Sequence, residues 1–123
     1  MLGLSPENYL GSYRGIPIRL RQPGELIGMT DLWKANGVPS RLRPDRWIEL
    51  LETQRLLQTI ASQIKVSPEI DKKGSIAEIP GVLEVFRGGD RFLQGTFGSR
   101  DVVIAYAKNL SIECFMWLKE RVG

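Results

Sequence analysis

Val85-Phe86-Arg87-Gly88-Gly89-Asp90-Arg91-Phe92-Leu93-Gln94-Gly95-Thr96-Phe97 is the stretch around which the chain is organised. Two strand-like runs flank a glycine-containing break, which is the pattern of a β-hairpin. Gly88 and Gly89 supply the positive φ that a reversal needs, without the steric cost a side chain would add. Arg87 and Arg91 lie within the element, Arg100 just beyond it, and Asp90 offsets one of the three. A hairpin tip carrying arginines fits a wing that touches a nucleic-acid backbone. A plain solvated hairpin has the same composition, because arginine is common at exposed turns.

Toward the C-terminus, Ser99-Arg100-Asp101 reads as a helix start, with a hydroxyl to cap and an early acid. Val102, Val103, Ala105, Tyr106 and Ala107 fill that helix, and Asn109 is expected to stop it in a left-handed conformation. Ser111 is placed to cap a last helix over 112–122. Cys114-Phe115-Met116-Trp117-Leu118 makes this helix apolar all round. Such a helix is buried on more than one side or meets a partner. Two readings stay open here: core burial, or a homodimer contact through Phe115, Trp117 and Leu118.

Toward the N-terminus, residues 65–80 hold Pro68, Gly74 and Pro80 and few large apolar groups. They read as a long loop with a short strand near 76–79. Residues 45–63 contain neither Gly nor Pro, and Pro44 suits a helix start. Trp47, Leu50, Leu51, Leu57, Ile60, Ala61 and Ile64 recur at three- and four-residue steps, which predicts one long amphipathic helix. Glu49, Glu52, Thr53, Arg55, Gln58 and Thr59 cover much of its other face, with Glu52 and Arg55 spaced to pair.

Thr30-Asp31 begins a short helix carrying Leu32, Trp33 and Ala35, and Asn36-Gly37 ends it. A loop with Ser40, Arg41 and Arg43 follows. Residues 13–20 alternate like a strand, and Pro17 predicts an edge position because it cannot donate to a ladder. Gln22-Pro23-Gly24-Glu25 turns the chain, and residues 26–29 return as the second strand. Ser5-Pro6 opens a short helix over 6–10 that stops at Gly11. The reading is an N-terminal segment, 1–12, and a domain body, 13–123. The fold class is α+β, with small antiparallel β-hairpins and about four main helices.

Composition narrows the function. The 123 residues suit one domain, with 42% apolar and 25% charged residues. No stretch has the length and hydropathy of a membrane span, and the start of the chain lacks the pattern of a signal peptide, so a cytoplasmic protein is expected. A single cysteine, Cys114, excludes an internal disulfide, and it lies among apolar neighbours as an inert core thiol would. With no histidine, neither a Ser-His-Asp nor a Cys-His catalytic arrangement exists, and no zinc set is credible. No cofactor, metal or catalytic residue is expected. Net charge is +3, and the arrangement of charge says more than its sum. Arg14, Arg19 and Arg21 occur without an acid between them; Arg41, Arg43 and Arg46 cluster with Asp45 alone. Of the 17 basic residues 11 are arginine, the better partner for phosphate and guanine.

The helix over 30–36, the turn at Gly37 and the helix from Pro44 have the order of a helix-turn-helix. Arg41, Arg43 and Arg46 would surround the second helix's N-terminus, while Asp45, Glu49 and Glu52 add charge of the wrong sign for phosphate. Gly88-Gly89 lacks the spacing of a nucleotide-binding loop. Asp31, Glu49, Asp90 and Asp101 have no spacing that favours magnesium, and helix starts account for such carboxylates. Trp33, Trp47 and Trp117 fall at apolar helical positions, where core packing is the default.

Several stretches together resemble the KilA-N domain. Gly28-Met29-Thr30-Asp31-Leu32-Trp33-Lys34-Ala35-Asn36-Gly37 is similar to its opening strand and short helix, and Asp45-Arg46-Trp47-Ile48-Glu49-Leu50 to the helix that follows. Val85-Phe86-Arg87-Gly88-Gly89 with Gln94-Gly95-Thr96-Phe97 resembles its glycine-rich hairpin. Val102-Val103-Ile104-Ala105-Tyr106-Ala107 and Phe115-Met116-Trp117-Leu118 are similar to its closing helices. The resemblance covers residues 13–122 and also relates the chain to the fungal APSES domain. It implies a DNA-binding protein of phages, large DNA viruses or bacteria, a transcriptional regulator that contacts duplex DNA through a helix-turn-helix and a hairpin wing. Carried over by position, it implies Arg46, Arg91 and Gln94 as contacts, with Arg41, Arg43 and Arg87 in support. Glu49 and Glu52 depart from it. The alternative reading is a protein–protein interaction module or dimerising scaffold on the same fold.

Overall fold

The computed structural model describes residues 8–22 and 24–122. Strands β1 (Tyr9–Tyr13) and β2 (Ile16–Arg21) form a hairpin in which Tyr13 faces Ile16. Arg14 and Gly15, with φ of 52° and 80°, make its two-residue loop, the left-handed pair that matches strand twist. Strand β3 (Leu26–Gly28) returns against β2. The later strands β6 (Leu83–Phe86) and β7 (Gly95–Gly98) complete an antiparallel sheet of order β1-β2-β3-β7-β6. A separate ribbon pairs β4 (Glu69–Ile70) with β5 (Ile76–Glu78), so the segment expected to be mostly loop contains two strands.

Two local expectations at the N-terminal end are corrected. The helix over 6–10 is not there in its last part: Tyr9 and Leu10 belong to β1, and positions 6 and 7 lie outside the described residues. Pro17 does not mark an edge strand, because β2 lies between β1 and β3. Its missing donor is tolerated because β3 pairs only with Leu20 and Arg21 and ends before reaching it.

The helices are α1 (Met29–Ala35), α2 (Pro44–Ile48), α3 (Leu51–Ile64), α4 (Arg100–Leu110) and α5 (Ile112–Val122). With the antiparallel sheet they give the α+β class that the sequence predicts. The single long helix expected from residue 45 is broken instead, at Glu49-Leu50, where Leu50 is extended with ψ of 143°. No Gly or Pro causes the break; packing does. Trp47 and Ile48 enter the core, and the Trp47 ring lies 5.1 Å from that of Tyr106. The chain then turns so that α3 buries Thr53, Gln54, Leu57 and Ala61. Gln54 bridges the break: its Nε2 donates to the Ile48 carbonyl at the end of α2 and to the Ile76 carbonyl on β5, and its Oε1 accepts from the Ile76 N–H.

The core is clustered around Ile18, Met29, Leu32, Leu57, Val102, Val103, Tyr106 and Leu118, all fully buried. Burying each aliphatic side chain contributes about 1.5–3 kcal/mol. At Gly98 a Cβ would press on Met29, Val102 and Val103, so β7 approaches α4 only because the position is bare. Asn109 does not end α4 in a left-handed turn; it is helical and its Nδ2 donates to Ala105 O, while Ser111 terminates the helix in an extended conformation. The expected Ser111 cap is present, its Oγ accepting from the Cys114 N–H at 3.1 Å.

The apolar circumference of α5 is mostly used inside the chain. Cys114 and Leu118 are at 0% exposure, and Trp117 packs 5.2 Å from Tyr13 on β1. Leu118 therefore cannot belong to a dimer surface, which corrects that part of the expected contact; Ile112 and Met116 are the exposed apolar residues of this helix. Burial raises the Cys114 thiol above its ordinary pKa, as fits an inert position. Among the described residues no helix is long and apolar enough to cross a membrane.

Tyr106 closes the core toward the α1–α2 connection by donating its hydroxyl proton to Leu42 O. Burial raises its pKa, so it remains a donor at any working pH. Tyr106→Phe is expected to lower stability by about 1–2 kcal/mol, measured by urea unfolding. An unchanged midpoint would mean that water satisfies Leu42 equally well.

Candidate nucleic-acid interface

The β6–β7 hairpin forms as the sequence predicts, with φ of 74° at Gly88 and 69° at Gly89. Phe86 faces Gly95, so residues 87–94 are all loop and the second strand starts later than the residue pattern implies. Inside the loop Arg91–Leu93 makes a single 3₁₀ turn. Asp90 Oδ1 accepts from the Phe92 N–H and Asp90 O from the Leu93 N–H, both at 2.9 Å. Gln94 Nε2 donates back to Gly89 O at 3.3 Å.

Arg19 fastens this loop to the domain. Its Nη1 donates to Phe92 O at 3.0 Å and Gln94 O at 2.6 Å. Its Nε and Nη2 hold the Asp31 carboxylate at 2.9 Å, and the Arg19 backbone N–H donates to Asp31 Oδ2. The guanidinium also lies 4.9 Å above the Phe97 ring. These are largely buried charges, with side-chain exposures of 14% for Arg19 and 8% for Asp31. A Cβ at Gly28 would collide with that carboxylate, which accounts for the glycine before α1. Beside the pair, Thr30 Oγ1 accepts from the Thr96 N–H at 3.0 Å. Thr30 is thus not the cap its position suggests, while Asp31 is the expected acid in the first turn of α1. Gly28 is the N-cap of α1 and no side chain caps it; Thr30 accepts instead from Thr96 on β7, and Asp31 from Arg19 on β2.

Between α1, the β1–β2 hairpin and this loop lies an open cleft of about 810 Å³. Arg87, Arg91 and Gln94 line it, together with Lys34 from α1 and with Arg19 and Asp31 on its floor. Arg19 and Asp31 neutralise each other. Arg87, Arg91 and Lys34 form no ion pair among the described residues, which leaves the cleft cationic. An anion at its rim would meet two free guanidinium groups and an ammonium.

The other three candidate arginines do not line this cleft. Arg41 lies on a 3₁₀ turn (Ser40–Leu42), Arg43 precedes α2, and Arg46 is on α2; all are exposed. Arg43 is held in a two-bond pair with Asp45, at 3.0 and 2.9 Å. That hydrogen bonding raises the Arg43 pKa and lowers that of Asp45. Arg41 and Arg46 form no ion pair among the described residues. Helix α2 has 5 residues and buries Trp47 and Ile48, so it is far shorter than the expected recognition helix. Of its acidic neighbours, Glu49 lies 3.9 Å from Lys73 on the surface, while Glu52 is exposed at the start of α3.

Residue pattern did not single out Lys34 or the clamping role of Arg19. Lys34 follows Asp31 by three positions on α1, which puts both on one side of the helix; that spacing was the available signal. Arg21 also escapes a simple reading: it stacks 3.8 Å above the Phe86 ring, at the base of the same hairpin. Among the described residues no group of three or more His, Cys, Asp or Glu is placed to hold a metal.

Comparison with known proteins gives one positive result. The family model of the KilA-N domain matches residues 11–122. No curated protein and no solved structure matches the chain.

Proposed function

The chain belongs to the KilA-N domain family, whose members are generally DNA-binding, and from that premise we propose that it binds duplex DNA with the 87–94 wing and the cleft beside α1. The observation that carries this reading is the set of uncompensated cations, Arg87, Arg91 and Lys34, around one cleft whose single carboxylate is already neutralised by Arg19. Phosphates supply most of the affinity in such contacts and fix the register. Gln94, anchored through its Nε2 to Gly89, keeps its Oε1 to accept from a base edge. Arg41 and Arg46 add phosphate contacts from the turn and helix after α1, in the order of a helix-turn-helix. Arg43 contributes least, because Asp45 already occupies its guanidinium. Such binding suits a regulator of transcription.

The test is a salt titration of binding to a labelled mixed-sequence duplex, read by fluorescence anisotropy. With roughly 3–5 phosphate contacts, log K should fall with log salt at a slope of about −3 to −5. Arg87→Glu with Arg91→Glu is expected to weaken binding at least about tenfold and to flatten the slope by about two. Arg43→Ala should change little. Absence of binding at low salt, or a slope untouched by the double reversal, would remove the DNA reading and leave a protein partner in its place.

A further inference from the structure

The wing also carries two large apolar side chains in the open. Phe92 is 51% exposed and Leu93 46%, and they are neighbours on the 3₁₀ turn. Phe92 lines both the cationic cleft and a smaller recess of about 210 Å³ that Arg21, Leu93 and Phe97 border. It therefore stands on the ridge between the two. The backbone around it is restrained by bonds from Arg19 to the Phe92 and Gln94 carbonyls, from the Phe92 N–H to Asp90 and from Gln94 to Gly89. A preorganised apolar projection loses little conformational freedom on binding.

Resting on the DNA reading above, we propose that Phe92, backed by Leu93, is a wedge that enters a base-pair step of the duplex and kinks it. The charges select the partner. Arg87 and Arg91 both precede the wedge on the same loop and line the same cleft as Phe92, so a surface that covers Phe92 and Leu93 must also satisfy two arginines that form no ion pair among the described residues. A duplex groove gives access, between two rows of phosphate, to base steps whose apolar faces open when a wedge unstacks them, which suits both demands. Leu50 and Leu51 form another exposed adjacent pair, but Glu49 and Glu52 flank it, and those charges repel phosphate. Asp90 is the one acid of the wing: its carboxylate accepts from the Phe92 N–H as the cap of the turn, and Arg87 and Arg91 outnumber its charge. Insertion unstacks the step, and the bend brings more of the duplex against the cations of the cleft. Pyrimidine–purine steps, the easiest to unstack, become the preferred sites even where no side chain reads the base edge.

The experiment measures binding and bending separately. A duplex of about 30 base pairs carries a dye at each end and 2-aminopurine beside a central TA step. Wild-type protein is expected to bind, to raise energy transfer between the ends and to raise 2-aminopurine emission. Phe92→Ala should bind roughly tenfold more weakly, with a shallower salt slope and both bending signals lost. Phe92→Leu, which keeps an apolar projection, should retain most of the bend. Circular dichroism checks that each variant is folded, and Leu93→Ala provides a second, smaller truncation. Binding by the wild type with neither signal changed would overturn the wedge and leave the DNA reading intact. So would bending that survives Phe92→Ala. Loss of all binding at low salt would instead overturn both.

Discussion

Asp31→Ala is expected to destabilise the domain by about 3–5 kcal/mol, the cost of leaving a buried charge without its counterion. The Arg19 guanidinium has little access to water and keeps only the Phe92 and Gln94 carbonyls and the Phe97 ring when the carboxylate is gone. The lost backbone bond from Arg19 N–H to Asp31 adds to the cost. Urea unfolding measures it directly. The loss should be much smaller when Arg19→Met is combined with Asp31→Leu, since no stranded charge remains. That double variant should still fold, yet its wing amides should exchange faster, because Arg19 is what ties the loop to the sheet. A single variant that costs under about 1 kcal/mol would show that water reaches the guanidinium and that the pair is a surface interaction.

Gln54→Leu is expected to cost about 2–5 kcal/mol for a different reason. Gln54 is buried, and its amide serves Ile48 O, Ile76 O and the Ile76 N–H at once. Leucine fills the space but leaves those groups without that partner, and an unmade buried hydrogen bond costs more than a made one contributes. The effect should be local as well as global. The Ile76 amide should lose protection in hydrogen exchange before the β1–β2–β3 sheet does, because Gln54 joins the β4–β5 ribbon to the α2–α3 corner. Equal loss of protection in both sheets would mean that the ribbon is held by its apolar contacts, with the amide incidental.

The residue pattern marks Asp31 as an acid at a helix start and does not pick out Gln54 at all. Asp31 has the position of a helix-start acid, and such acids are normally explained by the helix dipole. Nothing near it in the chain names Arg19 as its partner, 12 positions earlier, or the wing as the third party. Gln54 sits on an amphipathic helix among solvent-facing polar residues, so its partner 22 positions later is equally invisible. The same applies to the break at Leu50. Periodicity runs through it without interruption, and the demand of Trp47 and Ile48 for the core bends the chain there.

Elements whose causes are local were legible from the order of residues alone. Gly88 and Gly89 set the hairpin tip; Ser111 set the start of α5; the run of β-branched and aliphatic residues from Val102 set the buried face of α4. Together with the order of the motifs, these were enough to establish the fold class and the family. The local hairpin pattern also pointed to Arg87 and Arg91, whereas Gln94 was implied only by the family resemblance. Tertiary structure alone decided that these three share a cleft with Lys34, that Arg41, Arg43 and Arg46 lie outside it, and that Leu118 is interior. The reason is range: turn and cap preferences act within a few residues. The neutralising pair beneath the cleft, the burial of α5 and the corner at Leu50 arise from contacts that exist only once the sheet has closed.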